Sequence, residues 1–367
     1  MGVIFLSVKY KSPSKLTLSM KPDVMEKESY TVAILGATGL VGRAMLKTLE
    51  RRNFPITGIR LLATGKSAGK TLYYNEKEVE VEAVTEGSFE GVDISLFSAG
   101  SDASLEFSDI AVAHGSLVID NSSAHRMKDE IPLVVPEVNP EKAFENSGII
   151  ANPNCSTIQL VVALKPLMKL GIEHVFVSTY QSVSGMGQKG IDRLLEETNS
   201  VLDGRSRSRA GGSEVPFAFN AVPKCDYFLE NGYTREEMKL LLESRKILGS
   251  PDLKMSVTAV RVPVMYGHSE TVAVKFKDKV SADQVRGILA ASPGITVMDD
   301  PENGIYPHPR YSEGSGETFV GRIRQDLDDP TTVLMFIVAD NVLKGAAWNA
   351  VQIAELLTSS RKESASV

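Results

Sequence analysis

Residues 30–49 read YTVAILGATGLVGRAMLKTL. An apolar run from Tyr30 to Leu35 stops at a glycine turn and passes into a segment with helical spacing of apolar residues. Gly36, Gly39 and Gly42 fall in and after that turn. The pattern predicts a buried strand, a tight turn and a helix whose first backbone amides face an anion. Gly36 permits the turn, Gly39 lets a phosphate approach the backbone, and Gly42 lets helix and strand pack closely. A strand–helix turn without any ligand carries the same glycines, so the surrounding pattern has to decide between the two.

That pattern continues. Leu61–Ala63, GVDISLFSAG (91–100) and SLVIDNSSA (116–124) read as further strands, with a helix reaching His114. Strands alternating with helices predict a Rossmann-type, doubly wound parallel sheet that binds ligands at the carboxyl ends of its strands. After Cys155 the pattern changes. STIQLVVALKPLMKLG (156–171) reads as helix, kinked or broken at Pro166. HVFVSTYQSVSG (174–185) and the alternating LKMSVTAVRVPVMYGHSETVAVKF (253–276) read as strands. The expected fold is therefore α/β, with a parallel-sheet nucleotide domain over 30–154, completed by a C-terminal helix over 344–358. An α+β catalytic and dimerisation domain with a mostly antiparallel sheet is expected over 155–343. DGRSRSRAGGSEVP (203–216) reads as an exposed loop, and the tail SSRKESASV is expected to fray.

The bulk properties agree with a globular protein of two domains. The chain has 367 residues, 43% hydrophobic and 23% charged, with a net charge of -6. The negative balance and the lack of a basic run argue against a nucleic-acid partner. No apolar run is long enough to span a bilayer. Two cysteines, Cys155 and Cys225, cannot form a disulfide framework, which suggests a reducing compartment and a cytoplasmic location. Residues 1–29 are expected to lie outside the fold. MGVIFLSVKYKSPSKLTLSMKP carries four lysines and no acid. It reads either as a transit peptide, which would place the protein in an organelle stroma, or as sequence ahead of a true start at Met20 or Met25.

The end of the second strand bears on the cofactor. A site for NAD usually carries an acid there for the ribose 2′-hydroxyl. LLATGKSAGK (61–70) has none, and offers Thr64, Lys66 and Ser67 instead. Hydroxyls beside a cation suit the 2′-phosphate of NADP. Lys70 reads as a solvated surface charge.

ANPNCSTIQL (151–160) places Cys155 at the start of a predicted helix, where N-terminal amides would lower the thiol pKa and raise its reactivity. Asn154 and the backbone of 155–156 could serve an oxyanion. A lone cysteine is more often a small buried apolar side chain, and Cys225, in VPKCDYF, is read that way. A thiol nucleophile needs a base. Of His114, His125, His174, His268 and His308, only His268, in VMYGHSE, and His125, beside Arg126, stand as contenders.

Beyond these features the chain resembles aspartate-semialdehyde dehydrogenases. The matching pieces are GATGLVG (36–42), LFSAG (96–100), DNSSAHRM (120–127), PLVVPEVN (132–139), NPNCSTIQ (152–159), STYQSVSG (178–185), EEMK (236–239), RVPVMYGHSE (261–270), FVGRIRQD (319–326) and KGAAWNAVQIAE (344–355). They span nearly the whole chain from about residue 30 in the family's order.

The resemblance implies that Cys155 is the nucleophile, His268 the acid/base, and Gln181 a residue that orients substrate beside the thiol. It implies that Arg126 and Lys239 hold the phosphate, Arg261 the substrate carboxylate, and Glu237 the substrate amino group. Thr38, Gly39, Leu40, Val41, Lys66, Ser67, Ser184, Gly185 and Asn341 match cofactor contacts, and no metal is implied. Arg207, Arg209 and Lys224 are left as surface charges. The chain departs from the family at His125 and Gly267, where a bulky residue and an alanine are usual. The implied activity is reduction of L-aspartyl 4-phosphate to L-aspartate 4-semialdehyde with NADPH through a cysteine thioester, feeding lysine, threonine, methionine and diaminopimelate synthesis. A homodimer or homotetramer is implied. Two rivals share the cofactor fold: an N-acetylglutamyl-phosphate reductase, and a non-catalytic NADP-binding paralogue.

Overall fold

The structure, a computed structural model, describes residues 27–204 and 215–359. Most of the N-terminal extension, the heart of the 203–216 loop with Arg207 and Arg209, and nearly all of the tail lie outside the described residues. The first described side chain, Lys27, donates to Asp93 Oδ1 at 2.6 Å.

The opening stretch folds as its pattern requires. Strand β1 (Tyr30–Leu35) leads through the glycine turn into helix α1 (Leu40–Arg51). The strands that follow are β2 (Ile56–Ala63), β3 (Thr71–Tyr74), β4 (Lys77–Ala83), β5 (Ile94–Phe97), β6 (Leu117–Asp120) and β7 (Ile149–Ala151). They form one sheet in the order β3-β4-β2-β1-β5-β6-β7, and only the β3–β4 pair is antiparallel. β1 is apolar on both faces because both are covered. Ala33 and Leu35 pack with Phe97, Val118 and helix α2 (Ser101–Ala113), and Val32 and Ile34 pack with α1 on the opposite face. The order reverses beside β1, so the glycine turn opens at a topological switch point.

After β7 the chain enters α3 (Cys155–Leu164), where Asn154 accepts from the amides of Ser156 and Thr157. Pro166 cannot continue the α-helical ladder, and the chain tightens into a 3₁₀ turn over Lys165–Leu170. The second sheet contains β8 (Ile172–Gln181), β9 (Lys254–Arg261), β10 (His268–Phe276), β11 (Ile295–Val297), β12 (Thr318–Gln325) and β13 (Thr332–Ala339). Its order is β11-β12-β13-β10-β8-β9, with parallel pairing only at β8–β9 and β11–β12.

Helix α4 (Gln188–Leu202) follows β8, and α5 (Arg235–Leu248) precedes β9. α3, α5 and α6 (Ala282–Ala290) cover one face of this sheet through Ile158, Val161, Leu240, Ile247, Val285 and Leu289. The other face presents the exposed Phe176 and the stacked pair Tyr180–Phe336.

A short helix, α7 (Pro309–Ser312), precedes β12. Beyond β13 the chain makes a π turn over Leu343–Ala347, with Gly345 N donating to Asp340 O and Ala347 N to Val342 O, each at 3.0 Å. It continues as α8 (Trp348–Ser359). Ala350, Val351, Ala354 and Leu357 of α8 return to the first sheet and pack on the α1 face of β1.

Candidate active site

The carboxyl edge of the first sheet and the second sheet together enclose a cleft of about 1150 Å³. Thr38, Gly39, Leu40 and Val41 line it, together with Cys155, Gln181, Ser184, Gly185, Asn341, Arg126, Lys239 and Arg261. Those twelve were all expected at the site; of the other expected residues, Gly36 lies beneath Gly39, His268 lies behind Gly185, and Thr64, Lys66, Ser67 and Glu237 stand outside the wall.

The glycine turn fits a phosphate-bearing ligand. A Cβ on Gly36 would lie 2.7 Å from the Ser98 backbone, and its φ of +89° disfavours any other residue. Lys66 and Ser67 fall in a 3₁₀ turn (Gly65–Ser67) after β2, Thr64 immediately precedes it, and none of the three lines the cleft. Arg43 does line it, a cation that sequence reasoning passed over.

Cys155 is the first residue of α3 and is partly accessible. The expected lowering of its pKa is overturned. Burial, then the neighbouring Glu236 carboxylate, pushes the thiol up to about 12, while Arg126, Arg261 and Lys239 pull the other way. The helix N-terminus gives less help than anticipated because the Asn154 side chain takes the Ser156 and Thr157 amides, at 3.0 and 3.3 Å.

His268 is fully buried beneath Gly185: a Cβ on that glycine would lie 3.4 Å from the ring Cε1 and Nε2. The Ser182 N–H donates to Nδ1 at 3.1 Å, which assigns the neutral ring's proton to Nε2. Nε2 has no partner among the described residues. Burial, with the Arg261 charge nearby, holds the imidazole pKa down to about 3. Asn341 fastens the surrounding loop, with Oδ1 accepting from Ser182 Oγ at 3.0 Å and from the Gly267 N–H at 2.9 Å. The rival base, His125, is buried against Ser108 Oγ at 3.1 Å and is not part of the cleft wall.

Glu237 requires a correction. Its carboxylate faces away from the cleft, accepting from the Thr234 N–H at 2.6 Å and the Ala259 N–H at 2.9 Å. Together with Thr234 it forms a capping box at the start of α5. The acid in the cleft wall is its neighbour Glu236. Glu236 Oε1 accepts from Asn154 Nδ2 at 2.9 Å and from Gln181 Nε2 at 3.2 Å, and Oε2 pairs with Lys239 at 3.0 Å. Burial opposes ionisation of Glu236, but Lys239 and the two amides outweigh it and hold the carboxyl at about 2. Lys239 also meets Asp226 at 2.9 Å, so two carboxylates already balance its charge. Arg261 donates to the Ser182 carbonyl at 2.6 Å, and Arg126 to the Asn121 carbonyl at 2.8 Å.

Residues 31–146 match the model of the semialdehyde dehydrogenase NAD-binding domain, and residues 164–344 that of the semialdehyde dehydrogenase dimerisation domain. The aspartate-semialdehyde dehydrogenase of Aquifex aeolicus is 52% identical over 332 residues, covering 89% of this chain and 98% of its own. That of Bacillus subtilis is 46% identical, covering 89% and 96%. A crystal structure of aspartate semialdehyde dehydrogenase II from Vibrio cholerae superposes with a TM-score of 0.87 at 46% identity, covering 91% of this chain and 100% of its own. The Vibrio cholerae enzyme was also solved complexed with ASA. An aspartate semialdehyde dehydrogenase from Candida albicans, solved with NADP, superposes with a TM-score of 0.68 at 26% identity, covering 90% and 98%. By sequence over nearly the full length of its relatives, and by fold, this chain belongs to the aspartate-semialdehyde dehydrogenase family.

Proposed function

We propose that the protein reduces L-aspartyl 4-phosphate to L-aspartate 4-semialdehyde, and runs the reverse, phosphate-dependent oxidation, through a thioester on Cys155. The observation that carries this reading is the convergence on one cleft of a partly accessible thiol, a nucleotide-type glycine turn and three cations, Arg126, Lys239 and Arg261. The glycine turn, the start of α1, Ser184 and Gly185 would hold NADP, and the hydroxyls and cation of Thr64, Lys66 and Ser67 suit a 2′-phosphate better than a bare ribose. When bound, NADPH supplies the hydride.

The remaining chemistry belongs to the chain. The Cys155 sulfur attacks the acyl carbon as its bond to the phosphate oxygen breaks, the thiol proton ends on the departing phosphate, and the thioester left behind is electrophilic enough for hydride and, in reverse, for phosphate. Arg126, together with Lys239, receives the phosphate, and Arg261 offers a planar fork to the α-carboxylate. Glu236, rather than Glu237, pairs with the α-ammonium. Gln181, whose amide lies 2.9 Å from Ser156 Oγ, orients the acyl group beside the sulfur. His268 carries its proton on Nε2 and donates a hydrogen bond to the oxyanion that hydride addition creates; the oxyanion then re-forms the carbonyl and expels the Cys155 thiolate as the semialdehyde departs.

A free ammonium at Glu236 separates this activity from that of an N-acetylglutamyl-phosphate reductase, whose acylated nitrogen bears no charge. The exposed sheet face around Phe176 supports assembly as a homodimer or homotetramer. The deciding experiment is phosphate-dependent NADP reduction with L-aspartate 4-semialdehyde. Cys155→Ser is expected to abolish turnover while still binding NADP. Full activity in that variant, or a preference for the N-acetylglutamate semialdehyde, overturns the reading.

A further inference from the structure

Glu243 takes no part in the chemistry above, yet it is a carboxylate only 1% exposed. Such a group is costly to bury unless both oxygens are bound. Here both are. Oε1 accepts from Arg126 Nη1 at 3.1 Å, and Oε2 accepts from the backbone N–H of Asn154 at 2.7 Å. One carboxylate therefore joins the cleft arginine to the residue immediately before Cys155.

The same helix adds two more ties. Glu236, two turns earlier on α5, holds the Asn154 side chain. Lys246, one turn later, donates to the carbonyls of Arg126, Lys128 and Ile131 at 2.9, 2.7 and 2.9 Å. Residues at i, i+7 and i+10 lie along one side of a helix. That side of α5 meets both the turn that carries the thiol and the loop that carries the arginine.

We infer that Glu243 is a positioning residue that fixes Arg126 relative to the Cys155 turn, so that a phosphate held by the guanidinium lies in line with the sulfur. The inference rests on the reading that Arg126 receives phosphate. Removing the carboxylate would leave the guanidinium held only by the Asn121 carbonyl and the Asn154 amide without its acceptor. A glutamine can satisfy only one of those donors with its carbonyl and turns an amide N–H₂ toward the other.

The test uses the full-length enzyme in the phosphate-dependent direction, with inorganic phosphate as the varied substrate. Glu243→Gln is expected to raise the phosphate KM about tenfold or more and to lower kcat, leaving the NADP KM unchanged. Combining Glu243→Gln with Arg126→Leu is expected to raise that KM no further than Arg126→Leu alone, because the effect passes through the arginine. A role confined to holding the fold would lower thermal stability and the active fraction without moving the phosphate KM.

A phosphate KM within about twofold of wild type in Glu243→Gln, or multiplying effects in the double variant, overturns the inference. An unchanged phosphate KM in Arg126→Leu alone overturns the phosphate reading of Arg126 itself, which separates the two failures. Should Glu243→Gln not fold, Glu243→Asp keeps the charge but is a methylene too short to reach both donors. It is then judged by the same two criteria.

Discussion

Gly345 backs directly onto Cys155: a Cβ built on the glycine would lie 2.8 Å from the Cβ of the cysteine and 3.1 Å from its Cα. The π turn over 343–347 brings this backbone to the nucleophile, and π turns of this kind recur at functional sites. Gly345→Ala must therefore push the start of α3 out of place. A displacement near 1 Å at a reacting atom can reduce turnover by about a hundredfold. That loss in kcat is expected in Gly345→Ala, with a slower rate of Cys155 alkylation by iodoacetamide and an unchanged NADP affinity. Wild-type turnover would show that the thiol does not depend on this contact.

Glu236 raises the Cys155 pKa, second only to burial. If a substrate ammonium pairs with Glu236, binding removes that push at the moment the thiolate is needed. Glu236→Gln makes the same change without substrate. The pH profile of Cys155 alkylation should shift to lower pH in this variant, while the KM for L-aspartate 4-semialdehyde rises. A profile that stays in place, or moves to higher pH, contradicts the assignment of Glu236 to both roles.

Glu237 makes the opposite prediction. Glu237→Ala removes the capping box and leaves the buried Ala259 N–H without an acceptor. A lost cap costs about 1 kcal/mol, and an orphaned buried donor about 1 to 3 more. The variant should unfold at lower urea concentration while keeping a wild-type KM for the semialdehyde. An increase in KM with unchanged stability would return Glu237 to the substrate site.

That pair of glutamates marks the limit of what the sequence could reveal. The strand–turn–helix at 30–49, the helix opening at Cys155 and the β-rich segment around His268 were all legible, because periodicity and glycine placement act locally. The choice between Glu236 and Glu237 was partly legible: Thr234-Arg235-Glu236-Glu237 is itself a capping-box pattern, which reserves Glu237 for the helix end. Nothing local marks Gly345, Glu243 or Arg43. Their roles arise from contacts with residues 155, 126 and 154, and with a cleft assembled from distant segments. The raised thiol pKa was hidden for the same reason, since burial and the position of Glu236 are tertiary properties.

Glu270 lies two residues beyond His268 on the same face of β10, fully buried, and neither of its oxygens has a hydrogen-bond partner among the described residues. The Gln159 amide stands beside it but outside hydrogen-bond geometry, and its own polar atoms are likewise unpartnered. Burial pushes the Glu270 carboxyl up to about 8, against an unfolded value of about 4.3. Between those values the folded chain keeps a proton that the unfolded chain has released. Stability must therefore fall as pH rises through that window, by an amount on the order of a few kcal/mol. Glu270→Gln has no proton to lose, so its urea midpoint should stay flatter from pH 5 to 8 and exceed that of wild type at the alkaline end, at matched protein concentration. Parallel curves for the two proteins would mean that Glu270 ionises in the folded state as readily as in water, and that its surroundings are wetter than the packing of β10 against α3 implies.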